Sequence, residues 1–166
     1  QSSHRLSNGR KIMTITSAIC NSFKQEILVE GHNFTGGADQ FKLALYSSDS
    51  ATLSKATTVY TAPTDATADP TNTYEVTTTS SGYTGGGNNL TSTTPVLSGD
   101  TACVKFANTS WTSASFTARG CLIYNSTNGN KAVCVVNFGS DKTVTSGTFT
   151  IEFPAQTAGN AIVQIA

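Results

Sequence analysis

Apolar and polar positions alternate with a period of two along much of this chain. Phe41, Leu43 and Leu45 point one way and Lys42, Ala44 and Tyr46 the other, the pattern of a half-buried strand. Ala102, Val104 and Phe106 repeat it, with Cys103 and Lys105 opposite. Further runs read as strands over residues 57–61, 74–79, 89–97, 115–125, 131–138, 143–153 and 160–165, separated by clusters of Gly, Pro, Asn and Asp. Threonine is the commonest residue, and β-branched side chains lose freedom in a helix while packing well on a pleated sheet. The pattern predicts a mainly β fold, a β-sandwich or jelly roll. One segment has a different period. Ile19, Phe23 and Ile27 recur every four residues, Ser17 can cap a first turn and Gly31 can end a last one, so a single N-terminal α-helix is expected over residues 17–30.

At 166 residues the chain has the size of one domain, large enough to stand without disulfides or a structural metal. Residues 14–166 are expected to form the sandwich with its helix, and residues 1–13 an extended basic arm. Isolated polar termini are seldom ordered unless something ties them down. The arm is therefore predicted to lie across a neighbouring chain, with Arg5, Arg10 and Lys11 meeting acidic or carbonyl groups. Low-complexity sequence concentrates between Ser47 and Gly99, and residues 62–72 read as a long exposed loop, too polar and too interrupted by proline for a central strand. Residues 82–87, with four glycines, read as a turn; no apolar strand leads in and no helix follows, as a phosphate cradle requires.

Composition narrows the function. Ten Lys and Arg balance ten Asp and Glu, which leaves no global field to attract nucleic acid or anionic lipid. The longest apolar run, residues 132–136, is far short of the ~20 residues needed to cross a bilayer, and the N-terminal residues lack the apolar stretch of an export signal. Neither nucleic acid nor membrane is an expected partner. With 47 Ser and Thr and only 12% charged residues, the surface is hydroxylated rather than ionic.

Candidate chemistry is sparse. Of the two histidines, His4 lies in the polar leader and His32 follows the predicted helix, where it can satisfy helix carbonyls. Glu26 and Glu30 fall on the solvent side of that helix, Glu75 borders the loop and Glu152 stands alone, so no acid–base pair is expected. Asp65 and Asp69 lack the dense run of oxygen ligands that calcium requires. No catalytic residue, metal or cofactor is expected. Four sequons, at Asn33, Asn89, Asn108 and Asn125, are about what this composition produces by chance. Cys20, Cys103, Cys121 and Cys134 have none of the short spacings of a zinc site. Cys134 beside Val136 and Phe138 suits a core thiol. Cys103 shares a face with Lys105, and Cys121 with Thr117 and Arg119, so both are expected away from the core. A four-residue turn at 126–129 would set Cys121 opposite Cys134, and a two-residue turn at 128–129 would make them diagonal.

From Thr16 onward the chain resembles a family of small virion structural proteins of tailed bacteriophages. The resemblance rests on Cys20-Asn-Ser-Phe-Lys-Gln-Glu-Ile-Leu28, Gly31-His-Asn-Phe-Thr35, Phe41-Lys-Leu-Ala-Leu-Tyr46, Ser81-Gly-Tyr-Thr84, Ser110-Trp-Thr-Ser-Ala-Ser-Phe-Thr-Ala-Arg-Gly120 and Leu122-Ile-Tyr-Asn125, ordered blocks that hold no chemical signature. The residues before Met13 fall outside the pattern, and several cysteines stand where small aliphatic residues are expected. The resemblance implies a non-enzymatic virion protein, assembled in the host cytoplasm in many copies and decorating or linking the capsid shell, with the major capsid protein or a neighbouring structural protein as partner. All four cysteines are then candidates for disulfides that lock particles after lysis, Cys103 and Cys121 foremost. The competing expectation is host recognition on a fibre or baseplate, with a glycan bound by exposed Tyr60, Tyr74, Tyr83 or Trp111. Aromatics on an exposed face would favour recognition; aromatics between the sheets would favour the shell.

Overall fold

The computed structural model describes residues 15–47, 53–61, 74–76 and 82–166. The predicted arm with Arg5, Arg10 and Lys11, the loop at 62–72 with Asp65 and Asp69, and the end of the predicted strand 74–79 lie outside the described residues. The elements are β1 (Ala18–Ile19), α1 (Asn21–Glu26) with a 3-10 turn at Ile27–Val29, β2 (Phe41–Tyr46), β3 (Asn88–Leu90), β4 (Val96–Ser98), β5 (Thr101–Val104), β6 (Thr109–Asn125), β7 (Lys131–Ile151) and β8 (Val163–Ile165). Five strands form one sheet in the order β1-β7-β6-β2-β3 and three form another in the order β4-β5-β8; every pairing is antiparallel. The fold is mainly β with one short helix, in keeping with the sandwich read from the alternation.

β2 lies inside the larger sheet with both faces covered. On one face Phe41 stacks on Phe34 at 4.5 Å and meets Phe106 at 5.5 Å, and Phe34 reaches Phe23 of α1 at 6.1 Å. On the other, Ala44 and Tyr46 are buried beneath Tyr60, Glu75 and Tyr83, which come from the irregular segments that cross this side. The half-buried pattern expected of this strand is therefore corrected. Alternation tells which residues share a face, but a second cover makes both faces interior.

The long β6–β7 hairpin merges three of the predicted strands. Its register shifts at four places, and the largest shift moves the partner of Gly120, Asn137, to Lys142 for Ala118. Residues 138–141 take up that offset, with Gly139 at φ 78 and an Arg119–Asp141 ion pair of 2.9 Å across it. Such bulges bend a hairpin and let its distal half cover a different surface. There Trp111, Phe116, Phe149 and Tyr83 gather into one aromatic cluster, with Trp111 only 4% exposed.

Two predicted elements are redrawn. The helix is shorter than residues 17–30, because residues 18–19 pair with the β7 edge and the Cys20 amide donates to the Val133 carbonyl. Ser17 accepts from the Asn137 amide instead of capping a helix, and Cys20 occupies the N-cap without a side-chain bond. The predicted strand 89–97 is two strands in different sheets, broken before Val96 by Pro95, whose missing N–H cannot join a ladder. The turn expected at residues 82–87 is present and is closed by the Gly87 amide donating to the Thr84 carbonyl.

Candidate functional site

Among the described residues, one buried polar cluster is built around Glu75, 5% exposed. The backbone pairs Glu75 with Tyr46 at the edge of β2, which turns its carboxylate onto the face where Tyr124 and Tyr60 stack at 4.3 Å. Oε1 accepts from the Tyr83 hydroxyl and the Gly86 amide, both at 2.6 Å, and Oε2 from the Tyr60 hydroxyl at 2.9 Å. The Tyr124 hydroxyl donates to the Gly86 carbonyl at 2.8 Å, and the Tyr83 oxygen also accepts from the Leu45 amide. Burial, reinforced by the Glu75 charge, pushes the Tyr46, Tyr60, Tyr83 and Tyr124 hydroxyls far above their ordinary range. Charged hydrogen bonds of this kind are strong, and the arrangement spends every carboxylate oxygen on holding chain together. The sequence pattern places Glu75 only at the border of the loop and gives no sign of this role.

These tyrosines ionise near pH 10 in an unfolded chain. Their raised values mean that the fold holds the protons more tightly, so the linked stability is intact below that pH and is lost as pH rises above it. Spectrophotometric titration is expected to show the four rings ionising together with the loss of circular dichroism. Smooth ionisation of all four while the dichroism persists would contradict the buried cluster.

A second polar set surrounds His32, whose side chain is fully buried. Asn125 Oδ1 accepts from the Thr127 and Asn128 amides, which directs Nδ2 at Asp39, 2.7 Å away, and at His32 Nδ1, 3.2 Å away. His32 Nδ1 is then the acceptor, and Nε2 donates to Glu26 Oε2 at 2.8 Å. The expectations for both residues are corrected. His32 joins α1 to the β6–β7 turn rather than satisfying helix carbonyls, and Glu26 is drawn inward by it. Gly31 makes this approach possible, since a Cβ there would stand 2.8 Å from the Glu26 carbonyl oxygen.

All four cysteines are free thiols and all are buried. The expectation that Cys103 and Cys121 lie away from the core is wrong for both, each being 2% exposed. Gln156 donates to the Thr94 and Cys103 carbonyls, which sets the chain at 156 against the segment that holds Cys103. Cys121 sits in a strand flanked by β2 and β7 and covered on both faces. Five residues turn the hairpin, and a shift beside Ile123 sets Cys121 opposite Val136 and Cys134 opposite Ile123, so these two thiols are diagonal. Burial pushes Cys20 up to about 11 and Cys121 up to about 12, and raises Cys134, where Cys121 and Cys20 add to the effect. A thiol kept protonated and out of solvent neither exchanges nor alkylates readily. Iodoacetamide at mildly alkaline pH is expected to leave the native chain unmodified and to label four cysteines after denaturation. Labelling of Cys103 or Cys121 in the native state would contradict this burial.

The surface offers a different feature. The face of the smaller sheet that carries Ala102, Val104, Val163 and Ile165 turns toward Phe23 and Ile27, leaving an apolar cavity of about 100 Å³. It adjoins a cleft of about 360 Å³ between α1 and β8, lined by Ile19, Phe23, Leu28 and Ile165 among others. Of its lining, Leu28 is 83% exposed and Ile165 54%. Val29, next to Leu28, and Leu97, in line with Ala102 and Ile165 across the smaller sheet, are exposed as well, whereas exposed Val96 pairs with Cys103 on the opposite face. The signal in sequence was faint, because Ile19, Leu28 and Ile165 come from separate elements at opposite ends of the chain.

No group of three or more His, Cys, Asp or Glu side chains that could hold a metal occurs among the described residues. No helix among them is long and apolar enough to cross a membrane. No protein-family model, curated protein or solved structure matches the chain.

Proposed function

We propose that this chain is a non-enzymatic structural protein of a bacteriophage virion, a decoration or linking protein that fastens to neighbouring virion proteins. The observation that carries the reading is the aliphatic cleft lined by Ile19, Phe23, Ile27, Leu28 and Ile165, with Leu28 and Ile165 exposed, on a surface rich in hydroxyl groups and poor in charge. Contiguous exposed apolar surface rimmed by polar residues marks a protein contact. The resemblance of its sequence blocks to tailed-phage virion proteins is what favours the particle as the setting of that contact.

Host recognition through a glycan has less support. All fourteen aromatic residues, eight Phe, five Tyr and one Trp, fall among the described residues, and none is exposed. Tyr60, Tyr83 and Trp111 are buried and Tyr74 is half-buried, so the stacking platform that a sugar ring requires is missing from the described surface. Antibody raised against the folded chain and applied to intact virions tests the reading. Decoration spread over the shell is expected; labelling confined to fibre tips, or none with the chain also missing from purified particles, would overturn it.

A further inference from the structure

We infer that the cleft between α1 and β8 receives β4 of a second copy of this chain, with Leu97 of that copy seated against Leu28 and Ile165 and its Asp100 meeting Lys24. The inference rests on reading the cleft as a docking surface and names what docks there.

Two observations define what the cleft takes. Val163, Gln164, Ile165 and Ala166 all line it, although successive side chains of a strand point to opposite faces, so the cleft follows the edge of β8 rather than one face of its sheet. β8 ends the three-stranded sheet, and no strand lies beside its outer edge among the described residues. An extended segment can therefore add its backbone to that edge while its side chains meet Ile27 and Leu28 on the other wall. The charged member of the lining is Lys24, which is exposed and makes no ion pair among the described residues. A complementary segment carries a carboxylate beside its aliphatic residues.

The other end of the same sheet meets both requirements. β4 is its second terminal strand, again with no strand beside its outer edge among the described residues. It carries Val96 and Leu97, 45% and 75% exposed, and exposed Asp100 follows in the turn to β5, also without an ion pair among those residues. Of the six large hydrophobic residues exposed among the described residues, Leu28 and Ile165 line the cleft, and Val96 and Leu97 lie on the strand assigned to fill it. The directions agree as well. β4 and β8 each run antiparallel to β5 and so parallel to each other, and Leu97, Ala102 and Ile165 stand in line on one face. Repeating the sheet from copy to copy sets β4 parallel to β8 of its neighbour and places Leu97 on the face that turns toward Phe23 and Ile27, inside the cleft. Such a contact joins two different surfaces; it is heterologous and links copies into a ring or a row.

The test follows sedimentation of the full chain up to about 1 mM, where even small contacts are populated. Association is expected to grow with concentration. A zero-length carbodiimide applied to mixed isotopically light and heavy chains should join Lys24 of one copy to Asp100 of another. Leu97→Ser, at a site exposed enough to leave the circular dichroism unchanged, should weaken association about tenfold. Lys24→Glu and Asp100→Lys should each weaken it by at least as much alone, because like charges then meet. Mixing those two variants should restore it, since each cleft again faces the opposite charge. A chain that stays monomeric, which would leave the cleft to a different virion protein, would overturn the inference. So would cross-links confined to single chains, single variants that associate like the parent, or a mixture that does not recover. None of these outcomes alters the antibody result on virions, so this inference and the proposed function fail separately.

Discussion

Replacing Glu75 with alanine should destabilise the fold by about 4 kcal/mol or more. Three donors lose their acceptor together, the Tyr60 and Tyr83 hydroxyls and the Gly86 amide. Each buried polar group left unsatisfied costs roughly 1–3 kcal/mol. The loss also releases residues 74–76 from the edge of β2, where the Val76 amide donates to the Leu45 carbonyl. Glu75→Gln separates hydrogen bonding from charge. Its amide oxygen can accept from Tyr83 and Gly86, while its amide nitrogen faces Tyr60, whose hydroxyl must then accept; a loss of about 1–2 kcal/mol is expected. Chemical denaturation of both variants checks the ranking, and equal losses would mean that the hydrogen-bond geometry at Glu75 contributes little beyond its charge.

Gly87→Ala is the second large effect. Gly87 has φ 73, and a Cβ there would overlap the carbonyl of Leu43 and stand 2.8 Å from the Ala44 Cα. Both are backbone atoms of β2, which cannot swing aside as a side-chain end can. Gly99 supplies the control, with φ 63 and nothing within 4 Å of its added Cβ. Gly99→Ala should cost about 1–2 kcal/mol from the left-handed backbone alone. Gly87→Ala adds the collision and should cost about 4 kcal/mol or more, within the range reserved for strain at special backbone positions. Similar stabilities for the two variants would show that β2 yields where the close approach says it cannot.

The strands were legible because their signal is local. Phe41, Leu43 and Leu45 do share a face, and the apolar run at 132–136 does lie in a central strand. What alternation cannot supply is which face meets water, and that is why Cys103 and Cys121 were misplaced: both are buried by chain from outside their own segments. The period of four at Ile19, Phe23 and Ile27 mixed elements. Ile19 belongs to a strand paired with β7, Phe23 to the helix and Ile27 to the 3-10 turn, and all three still meet at one cleft. Glu75 was beyond sequence reading because its partners at 60, 83 and 86 are brought to it by irregular chain, where no period operates.

The central claim is that this chain is a virion protein whose aliphatic cleft is an interface. A cryo-EM map of the particle, with this fold placed in its density, tests it most directly. The account predicts copies repeated over the shell with Leu28 and Ile165 turned onto neighbouring protein. Copies whose cleft and rim face solvent, or placement at a fibre tip with another surface engaged, would contradict it.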